Sequence, residues 1–205
     1  MIMGFIRKFV MPREMDLAAA LQEQTSATRK LVHDLHAAYI LHDEKAANLI
    51  KSDAGETRQI KDKNMKELLD VFIAPYDKES IFRIITQLDW IALSVKHFVV
   101  EMDAYHNRVE LGEYQDLFEL LVEMATLLEN GFRQLSGKML PVIAPIHDKY
   151  DLLVERRAQH MARLLDRDDV RLIMIHRDVL SQLKEIAKRM QVTANTLEDM
   201  AIKVM

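Results

Sequence analysis

The chain has 205 residues, a formal net charge of -4, 49% hydrophobic side chains and no cysteine. A chain of this length buries about 70% of the surface that its unfolded form exposes, so one compact domain suffices. The acidic balance argues against a general nucleic-acid binder, which must neutralise phosphates with Lys and Arg. Without cysteine there is no disulfide framework, thiolate zinc site or iron–sulfur cluster, which fits a reducing compartment and makes the cytoplasm the expected location.

With 5 Gly, 4 Pro and 6% aromatic residues, the turns and strands of a β-sandwich or barrel lack their usual material. Leu, Ala, Met, Glu, Lys and Gln lose little rotamer freedom in helices, so an all-α fold is expected. The opening segment, residues 1–12, is too short and too interrupted by charge for a signal peptide. Its Phe5-Ile6-Arg7-Lys8-Phe9-Val10 mixes apolar and basic groups and reads as a loosely packed arm, so any membrane contact should be peripheral. No run approaches ~18 uncharged apolar residues, the length needed for a spanning helix.

Six long helices are expected in chain order. Pro12-Arg13-Glu14 opens the first, whose inner face carries Leu17, Leu21, Gln24, Thr28, Leu31, Leu35 and Ala38. A break at His42-Asp43 precedes the second, from Glu44 to about Phe72, with a polar middle around Gly55. Pro75 denies its predecessor helical geometry and ends that helix, and Asp77 is placed to cap the next. The third helix has Ile81, Ile84, Ile85, Leu88, Ile91, Val95, Val99 and Met102 at spacings of three and four, and should end near Leu111-Gly112. The fourth carries Phe118, Leu121, Ala125, Leu128, Phe132 and Leu135 and should stop at Ser136-Gly137. Pro141 to Pro145 is a linker or the first turn of the fifth helix, which runs through Ile146, Tyr150 and Leu153 to Leu165. Asp168-Asp169 caps the sixth, where Ile173, His176, Leu180, Leu183, Ala187, Met190, Ala194, Leu197, Ala201 and Val204 form a coiled-coil-like seam.

Thr86-Gln87-Leu88-Asp89-Trp90-Ile91-Ala92 in the third helix matches Ser181-Gln182-Leu183-Lys184-Glu185-Ile186-Ala187 in the sixth at an offset of 95 residues. The same offset lays the first helix on the fourth and the second on the fifth. The expectation is a single domain over 1–205, built from two pseudo-repeated three-helix units at about 13–111 and 113–205 and packed as an antiparallel bundle.

Chemistry-bearing motifs are sparse. A carboxylate-bridged di-metal bundle needs Glu-x-x-His on two helices, and Asp103-x-x-His106 is one approximate match. His33-x-x-His36 lies beside Lys30 and Asp34, as on a solvated or half-buried face. His176, on the apolar seam, reads as a hydrogen-bonded core residue rather than a ligand. Arg156, Arg163, Arg167 and Arg171, with His160 among them, could meet phosphates, but Glu155, Asp166, Asp168 and Asp169 are interleaved and favour a mixed salt-bridge face. There is no His-Glu-x-x-His, no Gly-rich phosphate loop and no Gly-x-Ser-x-Gly. The expectation is a non-enzyme with no catalytic, cofactor-binding or metal-binding residues.

Phe72-Ile73-Ala74-Pro75-Tyr76-Asp77-Lys78-Glu79-Ser80-Ile81, followed by Leu88-Asp89, resembles the junction between the second and third helices of the PhoU-like family of phosphate-transport regulators. The final helix, Thr193-Ala194-Asn195-Thr196-Leu197-Glu198-Asp199-Met200-Ala201-Ile202-Lys203, is similar to that family's last, and Phe5 to Leu17 is compatible with its opening. The resemblance implies a pair of three-helix units, and a place in the shorter branch associated with low-affinity inorganic phosphate transporters. It also implies multinuclear metal sites built from Glu/Asp-x-x-x-Asp motifs, whose carboxylates lie one helical turn apart.

Here those motifs fall at Ala54 and Arg58, Asp89 and Leu93, Tyr150 and Val154, and Lys184 and Lys188. A single carboxylate, Asp89, survives, and two lysines repel a cation. The expectation is a divergent member without the metal clusters or any other cofactor. Lys184 and Lys188 should pair with neighbouring carboxylates, with an anion contact as the other option. The resulting picture is a regulator or accessory protein of phosphate transport that acts by contact with a transporter or another regulatory protein. The alternative is a scaffold protein that homo-oligomerises through the sixth-helix seam, and a metal-dependent bundle enzyme ranks third.

Overall fold

The structure, a computed structural model, describes residues 16–71, 76–105, 109–135 and 139–203. Within them lie six long helices: α1 (Leu17–Tyr39), α2 (Glu44–Asp70), α3 (Lys78–Ala104), α4 (Gln115–Arg133), α5 (Pro145–Leu164) and α6 (Val170–Ile202). A 3-10 turn, Gly112–Tyr114, leads into α4, and one helical turn, Leu140–Ile143, leads into α5. The described residues contain no strand, so the all-α expectation holds.

Four of the six helices begin on an aspartate whose side chain accepts from the first free backbone N–H groups, the cap that an exposed helix start requires. Asp16 accepts from Ala19 N (3.0 Å), and Asp43 from Lys45 N (2.9 Å). Asp77 accepts from Ser80 N (3.1 Å), and Asp169 from Arg171 N (2.9 Å). The expected start of α1 at Pro12 lies outside the described residues. The break before α2 is a reversal at His42, which adopts φ 57°, a left-handed value that His tolerates better than most residues. The polar middle of α2 does not interrupt the helix, because it faces solvent while Ala46, Ile50, Ala54, Thr57, Asn64 and Leu68 turn inward.

Two boundaries differ from expectation. Helix α3 ends at Ala104 rather than near Leu111. Beyond that end, Val109 and Leu111 are both buried in the hydrophobic core. The Pro141–Pro145 stretch is neither plain linker nor simply the start of α5, since Pro141 sits in a turn of its own and Pro145 opens α5.

Helices α1, α3, α6 and α4 form a four-helix ring in which each packs on the next, with α2 against α1 and α3, and α5 against α4 and α6. Exchanging the first three helices for the last three maps this set of contacts onto itself, so the bundle consists of two three-helix units. Side-chain pairs fix the directions. Trp90 meets Arg189 and Glu101 meets Gln182, so α3 and α6 run antiparallel. Gln22 with Phe132 and Arg29 with Glu129 show the same for α1 and α4. Within the first unit a buried amide pair locks three helices together. Gln24 donates to the Ile85 carbonyl (2.8 Å), and Asn64 donates to Gln24 Oε1 and to the Ala20 carbonyl (both 3.1 Å).

The α6 seam is consumed inside the molecule: Leu180, Leu183, Ala187, Met190, Ala194 and Leu197 are fully buried against α3, α4 and α5. The alternative of self-association through this seam is therefore corrected, because its apolar side chains already have partners within the chain. Ile173 is only partly buried, and Val204 lies outside the described residues.

Gly131 is closely packed, since a Cβ there would stand 2.2 Å from Ile143 Cγ2. Gly131→Ala should destabilise by about 1–3 kcal/mol through overpacking. Gly55→Ala, with nothing within 4 Å of the added carbon, should stabilise by about 0.5–1 kcal/mol through helix propensity. Urea denaturation of the two variants measures both, and equal effects would contradict the packing described.

Candidate functional site

The positions that the resemblance assigns to metal ligands lie on α2, α3, α5 and α6, two on each helix. In the first unit Ala54 is buried and Arg58 is exposed. Asp89 is half-buried, and burial pushes its carboxyl above the ordinary aspartate value while Lys61 and Arg58 pull it back. Leu93 is exposed at 37%. In the second unit Tyr150 and Val154 are half-buried, Lys184 is half-buried and Lys188 is exposed.

The expected pairing of these lysines is not found: no carboxylate among the described residues lies within ion-pair distance of either. Lys184 and Lys188 face outward, while the nearest carboxylate in sequence, Glu185, turns toward α3 and is taken by Arg189 (2.6 Å). Between the two units, α3 and α6 leave a groove of about 390 Å³ lined by Trp90, Leu93, Ser94, His97, Glu185 and Arg189. The Arg189 guanidinium carbon stands 4.8 Å from the centre of the Trp90 ring, a cation–π contact. This groove is missing from the sequence reading. Its signal is Trp90, a large aromatic residue one step off the buried stripe of α3.

The other histidine and arginine candidates are dispersed. His33 Nε2 lies 3.2 Å from Arg29 Nη1 and 3.3 Å from Thr126 Oγ1. Burial first, then Arg29 and His36, hold its imidazole below the ordinary value. Asp103 pairs with Lys51 on the rim of a separate pocket of about 480 Å³ beside Tyr39, and His106 lies outside the described residues. No three His, Asp or Glu side chains among the described residues gather as a ligand set. Two of the four stripe arginines form ion pairs, with carboxylates other than the interleaved ones. Arg156 approaches Asp116 (3.7 Å) and Arg167 holds Glu113 with two hydrogen bonds (3.0 and 2.8 Å), while Asp169 is used as a cap.

His176 is buried and hydrogen-bonded, as its place on the seam suggests, and it belongs to a network that the sequence does not reveal. Arg167 Nη1 lies 3.0 Å from its Nε2, and Tyr114 Oη lies 2.6 Å from its Nδ1. Arginine can only donate, so Nε2 accepts and the imidazole is neutral with its proton on Nδ1. Glu113 Oε1 stands 3.4 Å from the same Nδ1. The Tyr114 ring packs edge-on against His160, which in turn meets Asp116 (3.0 Å). The group ties the start of α4 to the α5–α6 turn. Two of its partners, Tyr114 and Glu113, lie 62 and 63 residues from His176 in sequence, so no local pattern announces it.

No family model matches the chain. It is 25% identical over 148 residues, 68% of its length and 70% of the relative's, to the UPF0111 protein YkaA of Bacillus subtilis. Two crystal structures of PhoU-like proteins from Shewanella oneidensis, one of them a candidate phosphate regulatory protein, superpose with TM-scores of 0.77 and 0.75. Each covers 92% of this chain and 100% of the other at 14% identity. PhoU from Pseudomonas aeruginosa superposes at a TM-score of 0.68 over 93% of this chain and 97% of that one, again at 14% identity. The fold is PhoU-like.

A multinuclear metal site does not fit the residues that occupy the ligand positions of this PhoU-like scaffold. The methyl of Ala54 offers no donor, Arg58 and Lys61 act electrostatically on the one carboxylate, and Lys184 and Lys188 place two positive charges where a cation would need oxygen ligands.

The His176 network carries a pH dependence. Burial, reinforced by Arg167 and opposed by Glu113, holds the imidazole below the ordinary value of 6.5. The unfolded chain therefore takes up the proton first, and stability present above that value is lost as the pH falls below it. The urea midpoint should drop between about pH 7.5 and about pH 5.5. It should drop less in His176→Gln, with His33 contributing the remainder in the same direction. An equal drop in the variant would contradict this assignment.

Proposed function

We propose that this protein is a non-enzymatic regulator of inorganic phosphate transport, acting by contact with a transporter or another regulatory protein. The observation that carries the reading is superposition over more than nine-tenths of the chain on PhoU-like proteins, one of them a candidate phosphate regulatory protein. The sequence of the junction motif, whose Asp77 caps α3, supports it. No helix among the described residues is long and apolar enough to cross a membrane, and the reading places the protein in the cytoplasm, reaching the membrane through a transporter. The chain acts as one domain of two pseudo-repeats, about 13–111 and 113–205, and uses no metal or other cofactor.

Deleting the gene tests the proposal. Phosphate uptake and phosphate-responsive expression should both change and recover on complementation, and a phosphate transporter or its regulator should co-purify with the tagged protein. Unchanged uptake and expression, with no such protein recovered, would overturn it.

A further inference from the structure

The α2–α3–α6–α5 side of the bundle leaves apolar and cationic groups without partners. Phe82, Trp90, Leu93 and Val100 on α3 are 51%, 43%, 37% and 47% exposed. Their spacings keep them on one outward strip of the helix, and Trp90 and Leu93 line the same groove as an exposed apolar pair. Lys184 and Lys188, one turn apart on α6, flank this strip on one side, and Arg58 on α2 flanks it on the other; none of the three forms an ion pair with a described residue. Of the carboxylates nearby, Glu185 is held by Arg189, Asp62 by Lys61 and Glu101 by Gln182, whereas Asp89 forms no ion pair and lies in the field of Lys61 and Arg58. Lys184 and Lys188, with no ion-pair partner among the described residues, contrast with the net charge of -4 for the whole chain.

We infer that the α3–α6 groove docks an amphipathic helix of a partner protein. Its apolar stripe covers Trp90 and Leu93, and its flanking carboxylates meet Lys184, Lys188 and Arg58. The groove runs between two antiparallel helices and so accepts a rod, the helix-in-groove mode of recognition. Charge decides against a second copy of this chain. On the strip itself a second copy would offer the two lysines only Asp89, which is half-buried and already faces Lys61 and Arg58. The inference rests on the reading of the protein as a docking regulator and specifies the surface and the chemistry of its partner.

Photo-crosslinking in the host tests it, with p-benzoylphenylalanine replacing Leu93 and, as a control, Leu165, which is exposed at 79% outside the groove. The probe at 93 should capture a protein at a helix that combines apolar and acidic residues, whereas the probe at 165 should not. Lys184→Glu with Lys188→Glu should cut capture by at least about tenfold, while circular dichroism shows an unchanged fold. Replacing the captured carboxylates with lysine should restore it. The chain's only tryptophan is Trp90, so the purified complex should also show a blue shift in its emission. Capture of a second copy, capture of lipid alone, capture indifferent to charge reversal, or no capture would each overturn the inference. Unchanged phosphate uptake in the deletion strain would defeat the regulatory reading while leaving the crosslink in place. Lost capture in a strain with a phosphate phenotype would defeat this docking face alone.

Discussion

The antiparallel packing of α3 on α6 is the constraint on which the rest of the structure depends. It joins the two three-helix units across their equivalent helices and buries Leu88, Ile91 and Val95 on one side of the contact and Leu183, Ala187 and Met190 on the other. Each helix has one apolar stripe to bury. Once those stripes are committed to the interior, the outer surfaces of the same helices are fixed in place, and with them the relation of Trp90 and Leu93 to Lys184 and Lys188. The surface proposed for docking is thus the reverse side of the core, held rigid by it.

The same geometry explains how a PhoU-like bundle can present different chemistry on one scaffold. Of the positions that correspond to metal ligands on α2, α3, α5 and α6, only Ala54 is buried, while Arg58, Leu93 and Lys188 are exposed and can change without disturbing the ring. Here they are arginine, lysine, leucine and tyrosine, with Asp89 half-buried among cations. A carboxylate raised by burial and opposed by two basic side chains is a poor start for a cluster of hard cations, which need several oxygen ligands at short range. Exposed apolar groups beside unpaired lysines are better suited to another protein.

Much of the fold was legible in the sequence because it is written in short-range signals. The three-four spacing of Ile81 to Met102 and of His176 to Ala201 specifies the buried stripes, and Asp43, Asp77 and Asp169 announce the helix starts. The end of α3 was not legible, because Val109 and Leu111 continue the apolar content without continuing the helix. The self-association reading of α6 failed for a related reason: periodicity reveals an apolar seam but not which partner fills it. The candidate site was legible only in part. Lys184 and Lys188 stood out by position, but their lack of ion-pair partners depends on where Glu185 points, and the Trp90–Arg189 contact and the Glu113–Arg167–His176–Tyr114 network join residues far apart in the chain.

The central claim is that this PhoU-like bundle presents cations and apolar groups where a metal cluster would otherwise be built. Elemental analysis of protein equilibrated with iron, zinc and manganese and then desalted tests it most directly. The account predicts no metal retained in stoichiometric amount, and no change in thermal stability on adding a chelator. One or more equivalents held through desalting, with stability lost on chelation and metal retention abolished by Asp89→Asn, would contradict it.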